Sequence, residues 1–345
     1  MHSEHINDQA EGLRRLLLRS SARVVTVAAA RGGLGATSVV VNLAASLARS
    51  GKEVLVLDEN IAHDNVASML ALKPRYDLLN VVRGDKSWRE IMLFPQPGVC
   101  VLPAARAIQA LPQLSAAERE RLLQCMAEAS RNIDIVLVDA ATSMAPVTTS
   151  ENSRGPAYVR LNAQPPVRGN VSAGSNSSGI RISSSPISAN LAPDQPLLLV
   201  LNATASAITE SYALIKRMAM LDGRKSFGVI VNKVRDEQAA QAVFGNMAEV
   251  ARRHLQVRVE YLGYIPLDDK LQRATQLCRP VVEVFPAAQS ALAFGELGRK
   301  LALLPVSGNK ETGGLSDVVQ RLIRQARLPN MAHVNQWILC TPQMD

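Results

Sequence analysis

Residues 30–58 read ARGGLGATSVVVNLAASLARSGKEVLVLD. Ahead of them Val24–Ala29 is an apolar run of buried-strand length. Gly32, Gly33 and Gly35 then mark a tight turn. Thr37–Arg49 places apolar residues at helical spacing, and Ser50-Gly51 closes the helix as a C-terminal cap. Glu53–Leu57 is a second apolar strand ending at Asp58. A strand, a glycine-rich loop and a helix form the context a phosphate cradle needs, because glycines let backbone N–H groups converge on an anion and the helix N-terminus adds partial positive charge. Against the general pattern G-x-x-x-x-G-K-[ST] the match is partial: Ala30 stands at the first glycine and Ala36 at the lysine. On pattern alone, a plain turn feeding a helix remains open.

The same alternation continues outward. Val99–Leu102 and Asp134–Val138 read as strands around a helix near Ala116–Ser130. Leu197–Leu201, Phe227–Val231 and Glu260–Ile265 are further strands, with helices near Ala207–Leu221, Glu237–His254 and Gln289–Leu303. Strands alternating with helices predict an α/β fold, a doubly wound, mostly parallel sheet flanked by helices on both faces. Residues 148–194 interrupt this order. They are rich in Ser, Asn, Pro, Gly and Arg, bury too little apolar surface to offset their ordering entropy, and read as a flexible insertion. The organisation expected is a short N-terminal segment (1–20), a main domain (21–304) and a tail (305–345). Within the tail, residues 315–328 predict an amphipathic helix: Leu315, Val318, Val319, Leu322 and Ile323 share one face, flanked by Arg321, Arg324 and Arg327.

The chain has 345 residues and is 47% hydrophobic but only 3% aromatic, so its core is aliphatic. A net charge of +8 favours acidic partners such as nucleotides, nucleic acid or anionic lipid, and also serves plain solubility. Cys100, Cys125, Cys278 and Cys340 are too far apart in sequence for a metal knuckle or a redox pair and read as reduced, mostly buried thiols of a cytoplasmic protein. No signal peptide and no membrane-spanning segment are expected.

The double glycine and its flanks resemble the deviant phosphate-binding loop of the MinD/ParA ATPases, KGGxGKT[ST], followed by a helix and a strand ending in Asp. Arg31 falls at the family's signature lysine and Ala36 at its loop lysine, while Gly32, Gly33, Gly35, Thr37 and Ser38 match. The resemblance implies ATP or ADP with Mg²⁺, bound by Thr37 through its hydroxyl with Ser38 in support. Residues 58–66, DENIAHDNV, resemble the first switch: Asp58 matches, and Asn60 replaces the Asp that positions the attacking water. Ile135–Asp139 resembles the strand whose Asp holds Mg²⁺ through water, and Ala140-Ala141-Thr142 stands where the family carries a glycine-containing second switch. Val231-Asn232-Lys233 resembles the segment whose Asn reads adenine, and Tyr264-Ile265-Pro266 the neighbouring base-side loop.

Asp8, Gln9, Ala10, Leu13 and Arg14 match the DQAxxLR motif of the flagellar-number regulators FlhG/FleN. That branch implies a partner GTPase, FlhF, engaged through this segment, together with flagellar basal-body or regulatory proteins. It also implies a nucleotide-dependent homodimer and a peripheral position at the inner face of the cell membrane, with residues 315–328 against anionic lipid. Two alternatives share the fold: a CpaE/TadZ-like pilus-assembly adaptor, which usually begins with a receiver-like domain, and a ParA-type DNA-partitioning ATPase, which needs the lysines lost here. DNA is therefore not expected as a partner. Loss of the loop lysine, of the carboxylate at Asn60 and of the glycine near Ala140 all predict slow or absent ATP hydrolysis.

Overall fold

A computed structural model of the chain describes residues 22–140 and 195–303, together with residues 315, 318–321 and 323. Eight strands form one sheet in the order β3-β4-β2-β5-β1-β6-β7-β8. They are β1 (Arg23–Ala28), β2 (Val54–Asp58), β3 (Leu93–Gln96), β4 (Val99–Pro103), β5 (Ile135–Asp139), β6 (Leu197–Asn202), β7 (Ser226–Val234) and β8 (Arg258–Pro266). All pairings are parallel except that of the edge strand β3 with β4. Every residue of β2 and β5 is buried, as continuous aliphatic runs in a sheet covered on both faces require.

Side-chain alternation divides the central strands between two cores. Val25, Val27, Val54, Val56, Ile135 and Leu137 pack with the first helix, α1 (Ala36–Arg49). Val24, Leu55, Leu57, Val136 and Val138 face the other way. They meet α3 (Leu78–Arg83) and α6 (Ala116–Ala129), introduced after the short helix α2 (Val66–Met69) and accompanied by α4 (Trp88–Ile91) and α5 (Ala105–Ala110). Beyond β6 follow α7 (Ala205–Leu221), α8 (Glu237–Leu255), α9 (Asp269–Gln276), α10 (Val281–Val284) and α11 (Gln289–Leu303). Local chemistry fixes the helix starts. Ser115 and Glu118 form a reciprocal capping box on α6, and the side chains of Thr204 and Asp236 accept backbone N–H groups at the starts of α7 and α8. The start of α1 differs: its cap is Gly35, which has no side chain to accept those N–H groups.

The doubly wound fold agrees with the sequence expectation. The edge strand β3 and the short helices between β2 and β4, and between β8 and α11, were not predicted, because segments of four to eight residues carry too few repeats to show a period. The N-terminal motif and the insertion 148–194 lie outside the described residues.

The tail differs from expectation. Leu315, Val318, Val319 and Ile323 are helical, but their apolar stripe does not face outward. All four are buried in the second core, with Val24, Val136 and Val138. Leu315, Val318, Val319 and Ile323, expected to meet lipid, instead cover the sheet; Leu322 and residues 324–328 lie outside the described residues. The physical reason is that this face of the sheet presents aliphatic side chains from β1, β2 and β5 that the stripe can cover. We expect Leu315→Ala to destabilise the domain by about 2–5 kcal/mol in denaturant unfolding. The exposed neighbour Gln320→Ala should stay within about 0.5 kcal/mol. A free tail helix would leave both without effect.

Candidate functional site

Parallel strands bring their C-terminal ends to one edge, where a cavity of about 550 Å³ opens. Its floor is the loop after β1, with Gly32, Gly33, Gly35, Ala36, Thr37 and Ser38; Asn60, Asp139, Asn232 and Pro266 form the walls. Gly33 and Gly35 have φ of +79° and +98°, a left-handed backbone that glycine adopts without strain. Gly35 is also hemmed in: a Cβ there would collide with the amide of Asn232.

The end of β7 holds this loop. Asn232 Nδ2 donates to the Leu34 carbonyl at 2.9 Å, and Asn232 Oδ1 accepts from the backbone N–H of Lys233 at 2.9 Å. Lys233, itself left-handed at φ +58°, donates from Nζ to the Gly33 carbonyl at 3.1 Å. Two consecutive loop carbonyls are thus tied to two consecutive residues of one strand. Asn232, which the family resemblance assigns to reading adenine, here clamps the loop as well as lining the cavity. Lys233 stood inside the quoted motif without a role; its left-handed backbone, which turns the ammonium back over the loop, has no signature in sequence.

The opposite wall is acidic. Sheet register sets Asp58 beside Asp139, and both are buried. Thr37 Oγ1 donates to Asp139 Oδ2 at 2.8 Å, and Asn60 Nδ2 donates to Thr37 Oγ1 at 3.3 Å. The backbone N–H of Asn60 donates to Asp58 Oδ1 at 3.0 Å. Burial pushes the Asp58 carboxyl up to about 6 despite N–H donors from Asn60, Ala67 and Val66. Burial, and then the neighbouring charge of Asp58, hold Asp139 well above the usual carboxylate range, with Glu59 adding repulsion. Glu59 is itself buried, a feature its place in the switch-like motif did not reveal.

This oxygen-rich corner fits Mg²⁺: a threonine hydroxyl and two carboxylates are hard donors, and phosphates and water complete such a shell. The phosphate side fits less well. Ala36 lines the cavity with a methyl group where the family pattern has an ammonium. Among the described residues, the basic side chains on the cavity wall are Arg31 and Lys233, against Asp64, Asp139, Asp268 and Asp269. Arg31 is turned away to α7, where its Nε lies 2.7 Å from Glu210 Oε2. Of the loop, switch and base-side residues expected from sequence, Arg31, Gly32, Gly33, Gly35, Ala36, Thr37, Ser38, Asn60, Asp139, Asn232 and Pro266 line this cavity, Asp58 sits beside Asp139 and lines a neighbouring hollow with Asn60, Tyr264 and Ile265 do not line it, and Ala141 and Thr142 lie outside the described residues.

The buried acid pair has a measurable cost. Because the folded state raises the pKa of Asp139, its penalty is absent below the unfolded value near 3.8, grows as pH rises from there towards the folded value, and is complete above it. Asp139→Asn, which keeps an acceptor for Thr37, should raise the unfolding midpoint at pH 7 by about 2–4 °C per kcal/mol relieved, with a smaller gain at pH 4.5. An unchanged or lower midpoint at pH 7 would contradict this electrostatic reading.

Comparison with known proteins follows the same lines. The family model for the CobQ/CobB/MinD/ParA nucleotide-binding domain matches residues 25–281. The chain is 30% identical over 302 residues to the antiactivator FleN of Pseudomonas aeruginosa, covering 88% of this chain and 94% of that protein. It is 22% identical over 256 residues to the flagellum site-determining protein YlxH of Helicobacter pylori, covering 74% of this chain and 73% of that protein. Among solved structures, the MinD cell division protein of Aquifex aeolicus superposes with a TM-score of 0.55 at 20% identity, covering 84% of this chain and all of that one. MinD of Pyrococcus horikoshii, solved with Mg-ADP, gives 0.54 at 20% identity, covering 82% and 97%. This chain belongs to the CobQ/CobB/MinD/ParA nucleotide-binding family.

Proposed function

We propose that the chain is a MinD-like regulator of flagellar number and placement, acting with a FlhF-like GTPase and with flagellar basal-body or regulatory proteins at the membrane. The observation that carries this reading is its likeness to the antiactivator FleN over 88% of its length. The N-terminal residues Asp8, Gln9, Ala10, Leu13 and Arg14 support it, since that motif belongs to the same branch.

The nucleotide site fits a binding role more than a catalytic one. Thr37, Asp58 and Asp139 would hold Mg²⁺, and the glycine loop offers backbone N–H groups to a phosphate. Ala36 supplies no charge to the transferring group, and the amide of Asn60 donates to Thr37, so it is not placed as a base for water. Positioning and charge neutralisation are nearly all that such enzymes contribute, so these substitutions predict little or no turnover. A nucleotide-dependent homodimer remains part of the reading, with one condition: Arg31 must leave Glu210 to reach the phosphates of a second protomer. Membrane engagement by the tail carries a similar condition, because Leu315, Val318 and Val319 must first leave the core.

A GTPase assay tests the partnership. A peptide of residues 1–20 should stimulate a FlhF-like GTPase by at least about tenfold, well below what an inserted arginine finger supplies elsewhere. Gln9→Ala with Arg14→Ala should abolish that stimulation. No stimulation, or stimulation that survives both substitutions, would remove the flagellar assignment's mechanistic support.

A further inference from the structure

Opposite the cavity, the N-terminal ends of β7 and β8 meet the C-terminal ends of α7, α8 and α11. The backbone N–H of Arg258 donates to the Lys225 carbonyl at 2.7 Å, which places the two strand starts side by side. Arg23, at the start of β1, donates from Nη1 to the carbonyl of Leu301, which brings the end of α11 to the same edge. Lys225, Arg252, Arg253, Arg258 and Arg299 are all exposed there. Glu249 lies 3.3 Å from Arg253 and 3.8 Å from Arg252, and Glu260 pairs with Arg258. Among the described residues, Lys225 and Arg299 form no salt bridge.

Cations in the last turn of α8 offset the negative end of that helix, which accounts for Arg252 and Arg253 in part. It does not account for Lys225, Arg258 and Arg299, which stand on strand starts or on another helix. Nor does charge alone describe the edge. Met220, near the end of α7, is 69% exposed, and Leu303, the last residue of α11, is 83% exposed. Apolar side chains set among cations suit the boundary of an anionic bilayer, where methylene and thioether groups enter the acyl region and guanidinium groups remain among the headgroups. Single-stranded nucleic acid calls for aromatic platforms, and among the described residues no exposed Phe, Tyr or Trp stands among these cations.

We propose that this edge is a lipid-facing surface, binding anionic membrane through its cations and through Met220 and Leu303. The proposal rests on the membrane part of the proposed function and names the surface that serves it while the tail stripe stays buried. On such a surface the nucleotide cavity, at the far ends of the same strands, points away from the bilayer and stays open to partners.

Co-sedimentation of the full chain with phosphatidylcholine vesicles, with and without phosphatidylglycerol, tests it. The unmodified chain should bind the anionic vesicles and release them as salt rises. The variant Lys225→Glu, Arg299→Glu, which changes neither the last turn of α8 nor a salt bridge, should bind at least about tenfold more weakly, with unchanged thermal unfolding. Met220→Ser should weaken binding without altering its salt dependence. If the unmodified chain binds neither vesicle, the membrane reading and this surface both fail. If it binds anionic vesicles and the charge-reversed variant binds equally well, this surface alone is wrong. Binding to duplex DNA in place of vesicles would reassign the edge to nucleic acid and overturn the lipid proposal.

Discussion

The parallel register that sets Asp58 beside Asp139 governs this molecule. Once β2 and β5 pair as they do, two carboxylates are buried together at the strand ends, and the groups around them act to make that tolerable. Thr37 donates to one, the backbone of Asn60 donates to the other, and the side chain of Asn60 joins the two sides through Thr37. A neutral amide at Asn60 adds no third charge to a corner already short of cations. The same arrangement explains why the corner suits Mg²⁺: a divalent cation neutralises the pair that the fold forces together.

Across the cavity the constraint is steric. The glycine loop keeps its shape because Asn232 and Lys233 grip the Leu34 and Gly33 carbonyls, and because Gly35 has no Cβ to strike Asn232. This hold does not depend on the missing lysine. It accounts for a cradle that keeps its backbone form after losing the charge at residue 36.

Much of this was legible in the sequence. Aliphatic runs ending in Asp58 and Asp139, with a glycine loop between strand and helix, located the sheet and the edge at which the cavity opens. What stayed hidden depends on contacts between distant segments. The pairing of Arg31 with Glu210 joins the loop after β1 to α7, far along the chain, and the left-handed turn of Lys233 is a backbone state that its residue type disfavours. The tail illustrates the limit of periodicity. An apolar stripe with flanking arginines has the same pattern whether it covers a bilayer or a sheet, and only the bare face over Val24, Val136 and Val138 decides for the sheet.

The central proposal is that the site offers a Mg²⁺ corner and a phosphate cradle but lacks, at Ala36, the cation that would make a nucleoside triphosphate bind tightly. Calorimetric titration of the full chain and of Ala36→Lys with Mg-ATP tests it most directly. A charge-assisted hydrogen bond contributes roughly 1.5–3 kcal/mol, so Ala36→Lys should bind at least about tenfold more tightly than the unmodified chain. Tight binding by the unmodified chain, left unimproved by Ala36→Lys, would show that the cradle is complete without a lysine at that position.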